Sequence, residues 1–540
     1  MKKNSFIEGT IVATLGIILV KVIGIIYVIP FNAIIGETGG ALYGYGYTIY
    51  QLFLSISSAG FPFAISKLTS EYSAIGYKKA ISDTYHVALK LISIISIFIF
   101  IILFVFAPQI GKLIIGSSTG GNTYADIAFV IRMVSFAILV VPFLSVTKGF
   151  LQGHKYITPY SISQVIEQVV RVLIILIGSY LCMNVFKLPL RYAVGISVSA
   201  AFFGGLVAYI YLKIKIKKAK LLPKNVEDDP VLITKKEIIK KILMYSIPFI
   251  LISIVNNLYT TVDMILLSRT MSDILHLKAN IIDSIVGVYT TWGIKLNNIV
   301  LAISTGLVTS LIPNIVSSFA KNDIKDVNEK FNKAIQCVLL VIVPMTIFLS
   351  LLVKPIWTLF YGNSYYGPVV YKYFVYTALF GGIYTIIINT LQGINKYKLV
   401  ITTVLMGLVT NAILDVPLML VFDKLGMNVS YGAITAALIG YTLSIVISLS
   451  TLKKQYNFNF SNTKKRLPKY IASWIIFILV IEILKLIIPT TLKGRFIQIP
   501  ILTIYGLLSF GIYLYLNYKN GNIRVSLGTS INNKLKKVFH

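Results

Sequence analysis

Leu151-Gln152-Gly153-His154-Lys155-Tyr156 recurs 240 residues later as Leu391-Gln392-Gly393-Ile394-Asn395-Lys396-Tyr397. Each copy follows a long apolar stretch and is followed by another. Two further pairs occur in the same order: Ser58-Ala59-Gly60 with Ser304-Thr305-Gly306, and Pro108 to Gly116 with Pro355 to Gly362. The three matches together predict that the chain is built from two related halves.

Fourteen apolar spans surround these motifs. The chain has 540 residues, of which 56% are hydrophobic and 13% charged, and its mean hydropathy is +0.81. Soluble domains carry about 25% charged residues, so a water-soluble fold is excluded. Because about 20 apolar residues cross a bilayer as a helix, we predict an all-α polytopic membrane protein with fourteen transmembrane helices. Their bounds lie near 9–35, 41–66, 86–115, 127–150, 161–186, 192–212, 242–268, 286–316, 334–361, 368–391, 399–422, 430–452, 470–490 and 496–517.

The basic residues predict the orientation of these helices. With a cytoplasmic N-terminus, 34 of the 50 Lys and Arg residues fall on cytoplasmic segments and only seven on outer loops. Basic loops remain on the cytoplasmic side of a membrane, so both termini are predicted to be cytoplasmic. The net charge of +31 therefore needs no nucleic-acid partner, because its basic residues are spread over eight short segments instead of one binding surface.

The repeat also predicts the domain organisation. Matching segments lie six spans apart, so the two halves have the same orientation, and parallel repeats place a substrate site between them near the membrane midplane. We predict two parallel six-helix lobes plus two extra C-terminal helices. The predicted domains are an N-lobe at 1–212, a basic cytoplasmic linker at 213–241, a C-lobe at 242–452, and the last two helices with a cytoplasmic tail at 453–540.

Three motifs in the first two spans resemble a known exporter family. They are Gly36-Glu37-Thr38-Gly39-Gly40-Ala41-Leu42-Tyr43, Tyr47-Thr48-Ile49-Tyr50 and Ala59-Gly60-Phe61-Pro62-Phe63-Ala64-Ile65-Ser66-Lys67. They are similar to polysaccharide flippases of the multidrug/oligosaccharidyl-lipid/polysaccharide exporter superfamily, and within it to MurJ-type lipid II flippases and SpoVB-like sporulation proteins. The resemblance covers the whole chain. It implies outward movement of an undecaprenyl-linked cell-wall precursor across the bacterial cytoplasmic membrane by alternating access, without an enzymatic reaction.

Two lysines inside the spans are candidate ligands for an anionic headgroup. Lys21 lies midway along the first span, and Lys295 lies at the corresponding stage of the eighth. An ionisable side chain at this depth is unfavourable unless it is paired or faces water, and lysine binds phosphate as a point charge. The resemblance implies a basic residue at the place of Lys21. The chain lacks the second-span arginines of Gram-negative MurJ proteins, and snorkelling or local pairing is the alternative for both lysines.

Glu167 and Arg171 are a second pair of candidate substrate-binding residues. They lie four positions apart in the fifth span and therefore on one helix face. One interpretation is a structural ion pair. The other is a binding site in which Glu167 holds Arg171 toward the cavity until an anionic headgroup competes for it.

Three polar residues predict an ion-coupling site in the second lobe. Asp263 and Asp415 have no basic residue three or four positions away, and Asn411 lies one turn before Asp415. Oxygen ligands suit a hard cation or a proton, so the predicted coupling ion is Na⁺ or H⁺. Hydrogen-bonded structural carboxylates are the alternative. No cofactor or metal site is predicted, because the four histidines and two cysteines are scattered.

Two further features predict parts of a transport cycle. Gly60 and Pro62 interrupt the second span, and a proline removes a backbone hydrogen bond from a helix, so they are the predicted hinge. The last two spans lie outside the repeat, and we predict that they guide the lipid tail, because an undecaprenyl chain would lose its hydrocarbon surroundings in a wet, cationic cavity. A packing or partner-binding role is the alternative.

Three other functions remain open. A flippase for a teichoic acid or capsule precursor would have the same predicted architecture as a flippase for lipid II. A MATE-like cation antiporter would favour an acidic membrane interior, whereas these spans carry more basic than acidic residues. A membrane glycosyltransferase would need acidic catalytic residues on a larger outer region than the short loops here. The predicted partners are an anionic undecaprenyl-linked lipid and membrane lipids, with no nucleic acid, and the chain is predicted to be monomeric.

Overall fold

The computed structural model describes residues 6–116, 121–222, 229–230, 233–490 and 494–539. Within these ranges the structure is helical, and it contains no β-strand. Packing divides the chain into two compact units, residues 1–291 and 292–540. The predicted all-α membrane fold is confirmed.

The first unit contains α1 to α11. These helices are α1 (Phe6–Ile26), α2 (Val28–Ser58), α3 (Phe61–Ala74), α4 (Lys78–Val105), α5 (Ala107–Ile115), α6 (Tyr124–Ser135), α7 (Val141–Gly153), α8 (Ile157–Tyr180), α9 (Leu190–Lys218), α10 (Lys235–Arg269) and α11 (Ala279–Gly287). In this unit α8 packs against α1 and α9, and α7 packs against α3 and α9. A buried cluster that includes Phe61, Leu68, Tyr85, Phe150 and Leu212 joins α3, α4, α7 and α9.

The second unit contains α12 to α22. These helices are α12 (Gly293–Ala320), α13 (Ile324–Leu351), α14 (Val353–Tyr361), α15 (Tyr366–Phe374), α16 (Tyr376–Gly393), α17 (Tyr397–Lys424), α18 (Ser430–Tyr456), α19 (Ser461–Ile487), α20 (Gln498–Lys519), α21 (Asn522–Leu527) and α22 (Thr529–Phe539). Here α17 packs along α18, α12 packs against α13 and α16, and α13 packs against α19 and α21.

Twelve helical segments in the described ranges are long and apolar enough to cross a membrane. Each of them covers most of one predicted span, and together they account for twelve of the fourteen. The other two predicted spans, 9–35 and 286–316, fall largely on α1 with the start of α2 and on α12. Fourteen membrane helices are therefore consistent with the structure.

Hydropathy alone does not show where these spans break, but the interruption that Gly60 and Pro62 predict in the second span is present. The predicted span 41–66 is two helices, because α2 ends at Ser58 and α3 begins at Phe61 with Pro62 in its first turn. A proline in the first helical turn needs no N–H acceptor, so the chain breaks before Pro62 instead of bending through it. Within α2, Gly36 has a φ of 65°, a conformation that glycine adopts without steric strain.

The repeated motifs have matching local structures. In the two Leu-Gln-Gly turns, the N–H of Tyr156 donates to the Leu151 carbonyl at 2.9 Å, and the N–H of Lys396 donates to the Leu391 carbonyl at 2.8 Å. A left-handed residue precedes each donor, Lys155 in one turn and Asn395 in the other. The other helix pair matches as well, because α5 and α14 each have nine residues and end at a glycine with positive φ. These features support the predicted repeat.

The two compact units differ from the two predicted lobes. α10, which the repeat assigns to the C-lobe, packs against α2, α3 and α4 of the first unit. Packing and internal repetition are different criteria for dividing a chain. The domain bounds derived from the repeat therefore stay a prediction.

Candidate functional site

Three charged side chains meet inside the first unit, on α7 and α8. Nζ of Lys148 donates to Oε2 of Glu167 at 2.8 Å, and Nη2 of Arg171 donates to Oε1 of the same carboxylate at 2.7 Å. The side chains are largely buried, with 14% of Lys148, 16% of Glu167 and 22% of Arg171 exposed. We call these three residues the charge triad. Because two cations surround one carboxylate, the charge triad has a net charge of one positive unit.

The local fold explains why the charge triad forms. Glu167 and Arg171 are one turn apart on α8, and the Leu-Gln-Gly turn between α7 and α8 brings Lys148 back alongside them. Gly204 of α9 packs on the same turn of α8, because a Cβ at Gly204 would lie 2.6 Å from the carbonyl oxygen of Glu167. This close approach requires glycine, and it fixes the backbone that carries two of the three charges.

The charge triad has the properties of a site that can bind a further anion. An excess charge at membrane depth is unfavourable without a counter-ion or water. In addition, Nε of Arg171 is buried and has no hydrogen-bond partner within the described ranges. The triad therefore offers both an unbalanced positive charge and an unused N–H donor, which are the properties that a phosphate-binding site needs.

Tyrosines from one of the family-like motifs lie near the triad. Tyr43, Tyr47 and Tyr50 of α2 are close enough to Arg171 to interact with its charge. The ring centroids of Tyr43 and Tyr47 are 5.4 Å apart, and those of Tyr47 and Tyr50 are 5.5 Å apart. These aromatic rings of α2 are therefore in contact with one another and lie near the guanidinium group of Arg171.

Lys21 lies on α1, which packs along α8. A Cβ at Gly16 would lie 3.1 Å from the Cβ of Ser161, and a Cβ at Gly24 would lie 3.4 Å from Nε2 of Gln168. Lys21 is between these two contacts, so its backbone is level with the residues just before Glu167. The side chain is half-buried and forms no ion pair with a residue that the structure describes.

The other predicted ionisable residues occupy both units. Lys295 is half-buried in the first turn of α12 in the second unit. Asp263 is buried on α10 of the first unit, where its Oδ2 accepts a hydrogen bond from the Tyr289 hydroxyl at 3.0 Å. Asn411 and Asp415 are fully buried on α17 of the second unit. The shared cation site of Asp263, Asn411 and Asp415 stays a prediction.

The predicted hinge residues lie at a crossing of helices. A Cβ at Gly60 would overlap the backbone of Ser246 on α10, and a Cβ at Gly149 of α7 would overlap the carbonyl oxygen of Pro62. The break between α2 and α3 is therefore held between α7 and α10. Motion at Gly60 and Pro62 stays a prediction.

Comparison with known proteins identifies the family. A sequence model described as "Polysaccharide biosynthesis protein" matches residues 6–319. The chain belongs to this polysaccharide biosynthesis protein family. It is 29% identical over 549 residues to "Lipid II flippase MurJ" of Bacillus subtilis (strain 168), a match that covers 99% of both chains.

Solved structures show the fold of this family member. "Lipid II flippase MurJ, inward closed conformation" matches with a TM-score of 0.64 and 18% identity over 94% of this chain and 99% of that one. An inward-facing MATE family multidrug transporter of the MOP superfamily matches with a TM-score of 0.61 and 13% identity over 80% of this chain and 96% of that one. Together with the twelve long apolar helices of the described ranges, these likenesses show the fold of a multi-pass membrane protein.

Two of the predicted residues, Glu167 and Asp263, have partners that the sequence did not reveal. Lys148 is 19 positions from Glu167 and on another helix, so a search for charges one turn apart does not find it. A search across the short turn between the two spans would have done so. Tyr289, the partner of Asp263, lies in a wide helical turn between α11 and α12 and has no comparable signal in the sequence.

Proposed function

We propose that this polysaccharide biosynthesis family member is a flippase that moves an undecaprenyl-linked cell-wall precursor, lipid II, across the bacterial cytoplasmic membrane by alternating access. The observation that carries the proposal is the 29% identity to a lipid II flippase over 99% of both chains. The cargo crosses chemically unchanged, so the protein is not an enzyme. It acts as a monomer, and both termini are cytoplasmic.

The charge triad supports an anionic headgroup as the part of the cargo that is recognised. In the proposed cycle, the diphosphate of the precursor replaces Glu167 as the partner of Arg171. Glu167 remains paired with Lys148 at 2.8 Å, so neither the carboxylate nor the lysine becomes an isolated buried charge. Lys21 and Lys295 supply further positive charge to the same headgroup.

The energy source and the path of the tail are separate parts of the proposal. Asp263, Asn411 and Asp415 bind the coupling ion, Na⁺ or H⁺, and flipping in Asp415→Asn should no longer respond to the corresponding gradient. The apolar tail follows α19 and α20, where lipid-exposed side chains include Leu479, Leu486 and Leu507. A polar side chain at Leu507 should slow the flipping of a long-tailed substrate more than that of a short-tailed analogue.

Complementation tests the function directly. The chain should restore growth to a bacterium whose own lipid II flippase is depleted, and Lys21→Ala should abolish that rescue while reaching normal levels in the membrane. Lys453→Ala, at an exposed lysine near the end of α18, is the matched control and should rescue growth. A wild-type chain that inserts normally but never rescues would refute lipid II as cargo and leave another lipid-linked polysaccharide unit in its place.

A further inference from the structure

A second polar site lies in the second unit, far along the chain from the charge triad. It is a cavity of about 440 Å³ between α13, α19 and the short helix α21. Lys333 on α13 and Lys465, Arg466 and Lys469 on α19 line it, together with one carboxylate, Glu329. Four cations against one anion give the cavity a clear positive charge.

The spacing of these residues shows that two helix faces form the cavity. On α13 the lining residues are at 329, 332, 333 and 336, and on α19 they are at 462, 465, 466 and 469. Positions separated by three, four and seven residues share one face of a helix. Each helix therefore contributes a complete two-turn face, which neither helix uses for apolar packing.

The floor of the cavity is a buried hydrogen-bond network. Thr463 donates from Oγ1 to Oδ1 of Asn332 at 2.7 Å and accepts from Nε2 of Gln336 at 3.2 Å. Only 2% of Gln336 is exposed, and its Oε1 has no hydrogen-bond partner in the described part of the chain. A buried acceptor without a donor is unfavourable, so a group that donates a hydrogen bond to Oε1 of Gln336 would be stabilising here.

The position of the cavity along α19 places it at headgroup depth. The basic residues of the cavity are followed by Tyr470 and Trp474, whose rings stack at 6.3 Å, and then by the apolar run that begins at Ile475. Aromatic residues between a basic segment and an apolar segment mark the membrane interface. A ligand in the cavity is therefore level with the phosphate groups of lipids.

We propose that this cavity binds a phosphate ester that carries a free hydroxyl group. The phosphate contacts the cations at the cavity mouth, and the hydroxyl donates to Oε1 of Gln336. An anionic lipid with a glycerol headgroup has both groups and lies at the correct depth. A soluble phosphate has the same chemistry, and the experiment separates the two sources.

The binding experiment uses the full-length protein in phosphatidylcholine vesicles with and without phosphatidylglycerol. Native mass spectrometry after detergent extraction measures the phosphatidylglycerol retained for each protein. Lys465→Gln with Lys469→Gln should reduce retention about tenfold or more, because each basic residue near an anionic lipid contributes to its binding. Lys453→Gln with Lys454→Gln removes the same charge from an exposed part of α18 and should leave retention within about twofold of wild type.

A substitution at Gln336 tests the hydrogen-bond network of the cavity separately from its basic residues. Wild type should retain phosphatidylglycerol in preference to phosphatidylmethanol, which is anionic but has no headgroup hydroxyl, and Gln336→Leu should abolish this preference. If inorganic phosphate binds in phosphatidylcholine vesicles, and only the variant at Lys465 and Lys469 loses that binding, the ligand is soluble. Equal loss in both double variants, or binding of neither phosphate source by wild type, would overturn the proposal.

Discussion

Glu167 balances two cations at once, so its loss has a different effect from the loss of either partner. Glu167→Gln leaves Lys148 and Arg171 buried together without a counter-charge. Removing one partner of a buried ion pair destabilises a protein by about 3–5 kcal/mol. We expect the variant to unfold at a clearly lower temperature than wild type in the same detergent.

A compensating change separates charge from shape in this test. Adding Lys148→Met to Glu167→Gln restores the original excess of one positive charge, so the double variant should be more stable than Glu167→Gln alone. Lys148→Met alone leaves a neutral Glu167–Arg171 pair and should weaken flipping more than stability. A double variant that is less stable than Glu167→Gln would show that packing, and not charge balance, controls this region.

Asp283 is a buried carboxyl group outside the membrane-spanning segments. It lies on α11, and its Oδ2 accepts a hydrogen bond from the backbone N–H of Asn122 at 3.1 Å. Burial raises the pKa of Asp283 to about 6, and the hydrogen bonds from Asn122 only partly oppose this effect. The side chain of Asn122 also donates to the Thr38 carbonyl at 2.9 Å, so Asp283 belongs to a junction of α2, α11 and the loop before α6.

This raised pKa predicts a pH-dependent stability with a definite sign. The folded protein binds a proton at Asp283 more tightly than the unfolded chain, so the contribution of Asp283 is most favourable at low pH and is lost as pH rises from about 4 to about 6. The loss is about 3 kcal/mol. Asp283→Asn cannot ionise, so its thermal midpoint relative to wild type should increase between pH 5 and pH 7.5. A difference that is constant over this range would contradict the predicted pKa.

At the scale of whole helices, Gly60 determines how closely α10 approaches the break between α2 and α3. A methyl group at Gly60 would overlap the Ser246 backbone, and such overpacking destabilises by about 1–3 kcal/mol. Gly60→Ala should therefore lower the thermal midpoint. Gly506→Ala is the control, because a Cβ at that position of α20 meets no atom within 4 Å, and it should leave the midpoint unchanged or raise it. Equal midpoints for the two variants would refute the close contact.

The sequence predicted these helices better than their interruptions. Membrane spans follow from apolar length, a property that hydropathy measures directly. The break at Gly60 was visible because Pro62 marks it. Gly36 begins the short polar segment 36–40 that separates the first two predicted spans, and the structure continues α2 through this segment with a positive φ at Gly36. Glu167 and Arg171 were found by their spacing on one helix, whereas Lys148 depends on the packing of α7 against α8, which spacing along one helix does not describe.

At the scale of the whole molecule, charge distribution predicts the sidedness of the protein. Cys182 and Cys337 are the natural cysteines, and replacing both with serine gives a background for single labels. Tyr365→Cys, at a side chain that is 75% exposed on a predicted outer loop, should react in intact cells with a maleimide that cannot cross membranes. Ser461→Cys, at the predicted cytoplasmic start of α19, should react only after lysis. The reverse labelling pattern would show that the orientation in the membrane is opposite to the predicted one.

At the same scale, the two lobes that the repeat predicts differ from the two compact units of the structure. Repeats record which segments are related, whereas compact units record which segments are in contact. α10 shows the difference, because it begins the second repeat and packs in the first unit. The sequence therefore predicted the class of the elements but not the helices that each one packs against.

The first Leu-Gln-Gly turn also has a consequence for biosynthesis. Its hydrogen bonds join residues only three to five positions apart, so α7 and α8 can form a hairpin as soon as both have been synthesised. Lys148 and Glu167 lie on the two arms of that hairpin and neutralise each other at 2.8 Å. A charged residue that enters the bilayer alone is opposed by about 3 kcal/mol, so we expect the two arms to insert together, with their opposite charges already joined before most of the second unit has left the ribosome.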